Sequence, residues 1–234
     1  LAVGYQALYS NTSGSGNVAL GYESMYANTT GGNNMAVGSR ALNSNTTGDN
    51  NSASGFQALF SNTTGNANVA NGYRALYLNT TGVRNSALGS FALFSNTGGG
   101  FNSAFGSSAL DSNTTGNNNN AFGYYSLRNT TTGNDNIAFG SRSLFSNTTG
   151  SGNVASGRNA LWQNTTGANN VASGYFALET NATGSRNSAF GANADVTVDG
   201  LGYATVIGSN AQVSTSNTVV LGRTIDTTVI GATG

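Results

Sequence analysis

The triplet Ala-x-Gly begins at Ala2, Ala19, Ala36 and Ala53 and continues to Ala189 at a constant step of seventeen, with no copy missed or shifted. Other columns keep the same step. Asn17, Asn34 and Asn51 open an unbroken run that ends at Asn187, and a second glycine column passes through Gly14, Gly31 and Gly65 to Gly184. An aliphatic column runs Leu8, Met25, Leu42, Leu59, Leu76 and onward to Leu178. The unit reads Asn-x-Ala-x-Gly-x-x-Ala-Leu-x-Ser-Asn-Thr-Thr-Gly-x-x. A short period held to the residue is the signature of a stacked repeat architecture, which takes precedence over any single-domain fold.

Composition alone would suggest a flexible tract, with 34 Gly and 7% charged residues against roughly 25% charged in an average domain. Register argues otherwise, because 23 of the glycines fall in just two columns. Each unit carries two of these glycines and an Asn-Thr-Thr-Gly run, all poor helix formers. Short segments such as Asn68-Val69-Ala70 and Ala75-Leu76-Tyr77 read as strands between turns. The expected fold is all-β, a parallel β-solenoid or β-roll with one 17-residue coil per unit. Residues 1–191 supply the regular coils, and twelve or thirteen coils in the whole chain would form a rod roughly 60 Å long.

Alternation along a strand assigns faces. In the first strand Asn17, Ala19 and Gly21 point one way, and their constant small size suits the interior. Val18, Leu20 and Tyr22 point the other way and vary between units. In the expected second strand the aliphatic column and the Ala/Ser column before it are neighbours, so they should lie on opposite faces. The aromatic column Tyr9, Tyr26, Phe60, Tyr77, Phe94, Phe145 and Trp162 would share the Ala/Ser face. One small coil has a single interior, so the second apolar face is expected to meet another copy of the chain. Stacked Asn17, Asn34 and Asn51 should form amide ladders. With Ala19, Gly21, Leu59, Leu76 and Gly65 they are read as scaffold. Glu23 lies one unit before Arg40, and Asp111 one unit before Arg128, so each pair is a candidate ion contact.

Several chemistries are excluded by what is absent. Without Cys or His the chain lacks the usual zinc, haem and triad groups, and no cofactor or metal is expected. Eight Arg offset eight acids, which leaves no basic surface for nucleic acid. No apolar run reaches the roughly 20 residues of a membrane-spanning helix. The eight acids, Glu23, Asp49, Asp111, Asp135, Glu179, Asp195, Asp199 and Asp226, are scattered apart from Asp195 and Asp199, so no enzyme is expected. Asn28-Thr29-Thr30 and its equivalents match a glycosylation acceptor but are accounted for as turn chemistry. The Thr12, Thr29, Thr46 column raises ice binding as an alternative of another class.

From Ala192 the pattern changes. Gly222 in Val219-Val220-Leu221-Gly222 follows Gly208 at a shorter step of fourteen, and Val229 to Gly231 repeats the motif nine later. The run Ala204-Thr205-Val206-Ile207-Gly208-Ser209-Asn210-Ala211, with Ser216-Asn217-Thr218-Val219-Val220-Leu221-Gly222, resembles the heads of YadA-like trimeric autotransporter adhesins. Upstream units such as Asn187-Ser188-Ala189-Phe190-Gly191 look like a longer-turn version. They also resemble the Asn-Thr-Thr-Gly arrays of bacterial surface proteins and phage-type tail fibres. The resemblance implies a homotrimer, with residues 192–234 forming shorter head coils that lead toward a neck or stalk. It implies no catalytic residues.

The expected function is therefore structural and adhesive: a segment of an extracellular fibre, on a cell surface or a virion tail, that contacts a surface glycan or host receptor. Phage-type receptor binding is the close alternative. Candidate contacts are Tyr22, Tyr73, Tyr124 and Tyr175, spaced three units apart, with Arg74 and Arg142. Leu1 opens inside a unit and a stacked coil has open edges, so neighbours are expected at both ends.

Overall fold

In a computed structural model, which describes residues 1–223, the chain is a β-solenoid without a helix. Strand β1 (Ala2–Val3) is followed at one-unit intervals by three-residue strands from β2 (Val18–Leu20) to β12 (Ser188–Phe190). With β14 (Thr205–Ile207) and β16 (Val219–Leu221) they form one parallel sheet of 14 strands in chain order. Pairing is residue for residue: Ala19 opposes Ala36, and Ala104 opposes Ala121. The Asn17/Ala19/Gly21 face is the interior face, and Ala19 is fully buried.

Only one strand forms per 17-residue unit, which corrects the two-strand reading. After each Ala-x-Gly the chain enters a corner where left-handed residues alternate with ordinary ones, as at Glu23 and Met25 with φ of 50° each. Side chains of neighbouring residues point apart only in extended backbone. Here the reversal of hand turns Ser24 and Met25, or Ala58 and Leu59, inward together, and all four are fully buried. The expected second apolar face is thus covered by the coil itself. The aromatic column does not share the Ala/Ser face either; Phe60, Tyr77 and Phe94 lie half-buried on the outside. A left-handed Leu costs roughly 1–2 kcal/mol, and burying its side chain returns about 1.5–3 kcal/mol. Burial wins, so the column stays aliphatic where local preference favours Gly or Asn.

Two amide ladders close the interior. The Asn51 backbone N–H donates to Asn34 Oδ1 at 2.8 Å, while Asn51 Nδ2 donates to the Gly65 carbonyl at 2.8 Å. The second ladder uses the Asn of Asn-Thr-Thr-Gly: Asn62 Nδ2 donates to Asn45 Oδ1 at 2.8 Å and to the same Gly65 carbonyl at 3.0 Å. One glycine carbonyl per coil therefore ties both ladders together. Glycine is required there, because a Cβ on Gly65 would run into the Asn62 amide and the Gly82 carbonyl and lie 2.9 Å from Asn79 Nδ2. Backbone bonds continue between coils outside the strands, for example Leu76 N–H to Ala92 C=O at 2.9 Å and Thr80 N–H to Thr97 C=O at 3.0 Å. The narrow interior can exclude water because its polar backbone is paired around the turn.

The sheet continues past 191/192, where the sequence pattern changes, and the period itself shortens only after Gly208. Strands β12 and β14 pair at a 17-residue offset, whereas β14 and β16 pair at 14, with Thr205 opposite Val219. Among the described residues a second strand appears only here, as β13 (Asp195–Val196) pairs with β15 (Gln212–Val213). Val196, Val206 and Val213 replace Ala and Leu in the core. The Val229 to Gly231 repeat and Asp226 lie outside the described residues.

The second ladder breaks at Thr130, which takes the Asn position. Asn147 Nδ2 still reaches Thr130 Oγ1 at 3.3 Å, but buried Asn113 Oδ1 has no partner. Restoring the amide with Thr130→Asn should stabilise the chain by about 1–2 kcal/mol, read as a higher urea midpoint. An unchanged or lower midpoint would count against the ladder as a stabilising element.

Candidate functional site

The outward surface has two distinct faces. Behind the Ala column, the outer sheet face presents residues such as Met35, Val69, Leu88, Phe105, Phe139 and Phe190, all exposed. None of the 14 strands of this sheet carries Asp, Glu or Arg. Like residues stack along it, with Phe105, Phe122 and Phe139 rings 5.0 and 4.8 Å apart.

The second face is built by the corner after each Ala-x-Gly. Tyr22, Tyr73, Tyr124 and Tyr175 stand there in one column, each 44–47% exposed. Three coils separate successive members, about 14 Å at the inter-strand spacing. The structure thus gathers the four tyrosines singled out from sequence on one side of the rod. Arg74 joins them: its Nε donates to Gln57 Oε1 at 2.9 Å, and its guanidinium lies 5.3 Å from the rings of both Tyr73 and Tyr77. Arg142 is exposed one coil after Tyr124, with its backbone N–H on the Tyr124 carbonyl at 2.9 Å. Beside this column runs the aromatic stack Phe60, Tyr77 and Phe94, at 5.2 Å per step. Offset stacking at this spacing adds about 0.5–1.5 kcal/mol per pair beyond burial.

The scaffold residues occupy the expected interior: Asn17, Asn34, Asn51, Ala19, Leu59, Leu76 and Gly65 are buried, while Gly21 turns the chain out of its strand at φ 141°. Both anticipated ion contacts form, Arg40 Nε to Glu23 Oε2 at 2.8 Å and Arg128 Nε to Asp111 Oδ2 at 3.6 Å. Thr29 Oγ1 donates to the Thr46 carbonyl at 2.9 Å, and its column repeats the bond, so these hydroxyls are engaged between coils. A third, exposed ladder escaped sequence reasoning. Gly32 N–H donates to Asp49 Oδ1 at 2.7 Å, Asp49 N–H to Asn66 Oδ1 at 2.7 Å, and Asn117 N–H to Asn134 Oδ1 at 2.8 Å. Its members change between Asp, Asn and Ser, so no single residue type marks the column.

The acids mostly serve such contacts. Asp199 accepts from the backbone N–H groups of Ala182 and Thr183, each at 2.7 Å, and from Thr183 Oγ1 at 2.9 Å. Partial burial alone would raise its carboxyl, but these donors outweigh it and hold it below the usual range. Asp195 stands where the aliphatic column would continue, 9% exposed, and receives the backbone N–H groups of Thr180 at 3.1 Å and Val196 at 2.8 Å. Desolvation prevails there and pushes its carboxyl up to about 6. Burial also raises Asp111, since Arg128 at 3.6 Å compensates incompletely. Among the described residues no cluster of His, Cys, Asp and Glu could hold a metal ion, and no helix is long and apolar enough to cross a membrane.

No protein-family model matches this chain, and neither a curated protein nor a solved structure is similar to it at a significant level.

The raised Asp195 sets a pH dependence of stability. A carboxyl with a folded pKa above its unfolded value of about 3.9 stabilises the fold fully below that value and loses the contribution as pH rises through about 6. Stability, and with it the denaturation midpoint, should therefore be higher at pH 4.5 than at pH 7.5, by about 2 kcal/mol from this group. Asp195→Asn should flatten that interval and raise the midpoint at pH 7.5. Equal pH profiles for the two proteins would contradict the assignment.

Proposed function

We propose that the chain is a structural and adhesive segment of an extracellular fibre, a homotrimer whose outer corners attach to a surface. The observation that carries this reading is the division of labour between the two outward faces. One is uncharged, largely apolar and fourteen strands long; the other carries an exposed Tyr column with Arg beside it.

A parallel sheet is ordinarily covered on both sides, and monomers rarely leave so long an apolar strip exposed. Three copies packing their sheet faces around a common axis would cover it. The threefold number comes from the resemblance of residues 187–222 to YadA-like heads. Each subunit then turns its corner face outward. Tyr and Arg often carry contact energy at interfaces, and weak contacts repeated every three coils on three chains gain strength through avidity. No step in this reading requires bond chemistry, so the chain acts as a binding and spacing element and not as an enzyme. Cell-surface adhesins and phage-type tail fibres share this physical task.

Sedimentation should give three times the single-chain mass of 23.6 kDa. Phe139→Glu, which inserts a charge into the sheet face, should shift the mass to that of one chain. Alanine at Tyr73 and Tyr124 together should weaken attachment to glycan-bearing or host surfaces at least tenfold while leaving the trimer mass unchanged. A monomeric wild type would overturn the assembly, and unaltered attachment by the double variant would overturn the contact assignment.

A further inference from the structure

Two regular corners carry no ring: at Ser39, Arg40 and Asn43 the Arg40 side chain covers the space, reaching Glu23 and the Tyr22 ring, whereas the second has only short side chains. In the two columns that hold Tyr73/Arg74 and Tyr124/Tyr125, the corner that follows Ala104-Phe105-Gly106 places Ser107 and Ser108, and it is the only 17-residue coil with Ser in both. Asp111 follows in the column of the Phe60–Tyr77–Phe94 stack, so this coil contributes no ring anywhere on the face. The result is a notch of about 480 Å³, open to solvent on one side, with Phe91 and Phe94 on one wall and Tyr124 and Tyr125 on the other.

The walls are fixed by their own neighbours. Phe94 stacks on Tyr77 at 5.2 Å with the planes 4° apart, and the next coil places Asp111, which has no ring, in its column. Opposite, the Arg128 guanidinium lies 4.5 Å from the Tyr125 ring centroid. Two strand spacings separate the walls, about 9.5 Å. That distance admits one saturated ring in van der Waals contact, at about 4 Å, with each wall. The volume lies within the usual range for small ligands, about 300–1,000 Å³.

The floor is polar and incompletely paired. Asp111 and Arg128 approach only to 3.6 Å, and buried Arg128 Nε has no hydrogen-bond acceptor. Asp111 thus offers acceptor oxygens, the partly exposed Arg128 guanidinium offers its remaining N–H donors, and the two charges cancel. Ser107 adds an exposed hydroxyl that can donate or accept. A ligand for this notch must show apolar faces to aromatic rings, present hydroxyls at its edge to a carboxylate and a guanidinium, and carry no net charge.

We propose that this notch is a subsite for a neutral pyranose, a hexose unit of a surface glycan. The proposal deepens the adhesive reading above and rests on it for the source of the glycan. The carboxylate accepts from ring hydroxyls, the exposed guanidinium N–H groups of Arg128 donate to a hydroxyl oxygen, and the C–H faces lie against the aromatic walls. An aliphatic peptide side chain would satisfy the walls but leave the floor donor unpaired, so a sugar is the better fit.

The test uses saturation-transfer NMR and titration on the full chain, with the methyl glycosides of galactose, glucose, mannose and N-acetylglucosamine, and an N-acetyl-leucine amide control. At least one glycoside should bind with a millimolar dissociation constant. Ser107→Phe, which fills the notch, should weaken it at least tenfold with no loss of thermal midpoint. Asp111→Asn should weaken it about tenfold and serves as the independent variant should Ser107→Phe fail to fold. Glu23→Gln, five coils away, should bind as wild type. No binding by all four glycosides, unchanged binding in the folded variants, or preference for the leucine amide would overturn the subsite. Attachment of wild-type rods to glycan-bearing surfaces is scored separately: its failure overturns the adhesive reading, whereas its persistence in Ser107→Phe with sugar binding lost overturns only the role of this notch.

Discussion

Every column in this chain is stacked on itself at the inter-strand distance of about 4.8 Å, and that repetition constrains the rest. Whatever a residue does in one coil, its equivalents do directly above and below. Amides profit from this, because an Asn can donate to one neighbour and accept from the next, as Asn45, Asn62 and Asn79 do. Charges are penalised by it, since like charges opposite each other repel. No charged residue in the chain has a like charge one 17-residue unit away, and Glu23 and Asp111 each have an Arg at that offset. Scarce charge and abundant Asn and Gly follow from one geometric condition.

Interior width is the next consequence. Ala, Leu, two Asn and one Gly fill the coil, and the Gly65-type carbonyl receives both amides. The interior is therefore held by polar bonds as much as by apolar contact. A buried amide without a partner costs about 1–3 kcal/mol, so the two ladders must run almost unbroken. The lone Thr130 substitution leaves a single orphaned oxygen in its wake. Such a structure tolerates variation outside its walls, where the corner residues range from Ser to Tyr without altering the coil.

Much of this was legible in the residues. Period, strand position and both ion contacts follow from spacing alone; alternation separates the Asn17/Ala19/Gly21 set from its neighbours, but only the closed coil decides which set is the core. The corner follows from neither, because alternation rules assume extended backbone. At Glu23 and Met25 a left-handed φ turns adjacent Ser24 and Met25 inward together, and no residue there advertises it, since Leu and Arg rarely adopt that hand. The exposed Asp49/Asn66 ladder stayed hidden behind a variable column. Ser107 and Ser108 were visible as residues, but their meaning depends on Phe94 and Tyr125 standing one coil to either side. The four tyrosines were identified by exposure and spacing, and the fold places them on one side of the rod.

The rod requires each repeat unit to advance the chain by one strand spacing along its whole length. Since the chain has no Cys, spin labels can be placed cleanly at Ser39→Cys and Ser141→Cys, six coils apart in the same column. Electron double resonance on labelled chains diluted with unlabelled ones should give one narrow distance of about 29 Å, six times the strand spacing. A broad distribution, or a narrow one far from that value, would contradict the stacked rod.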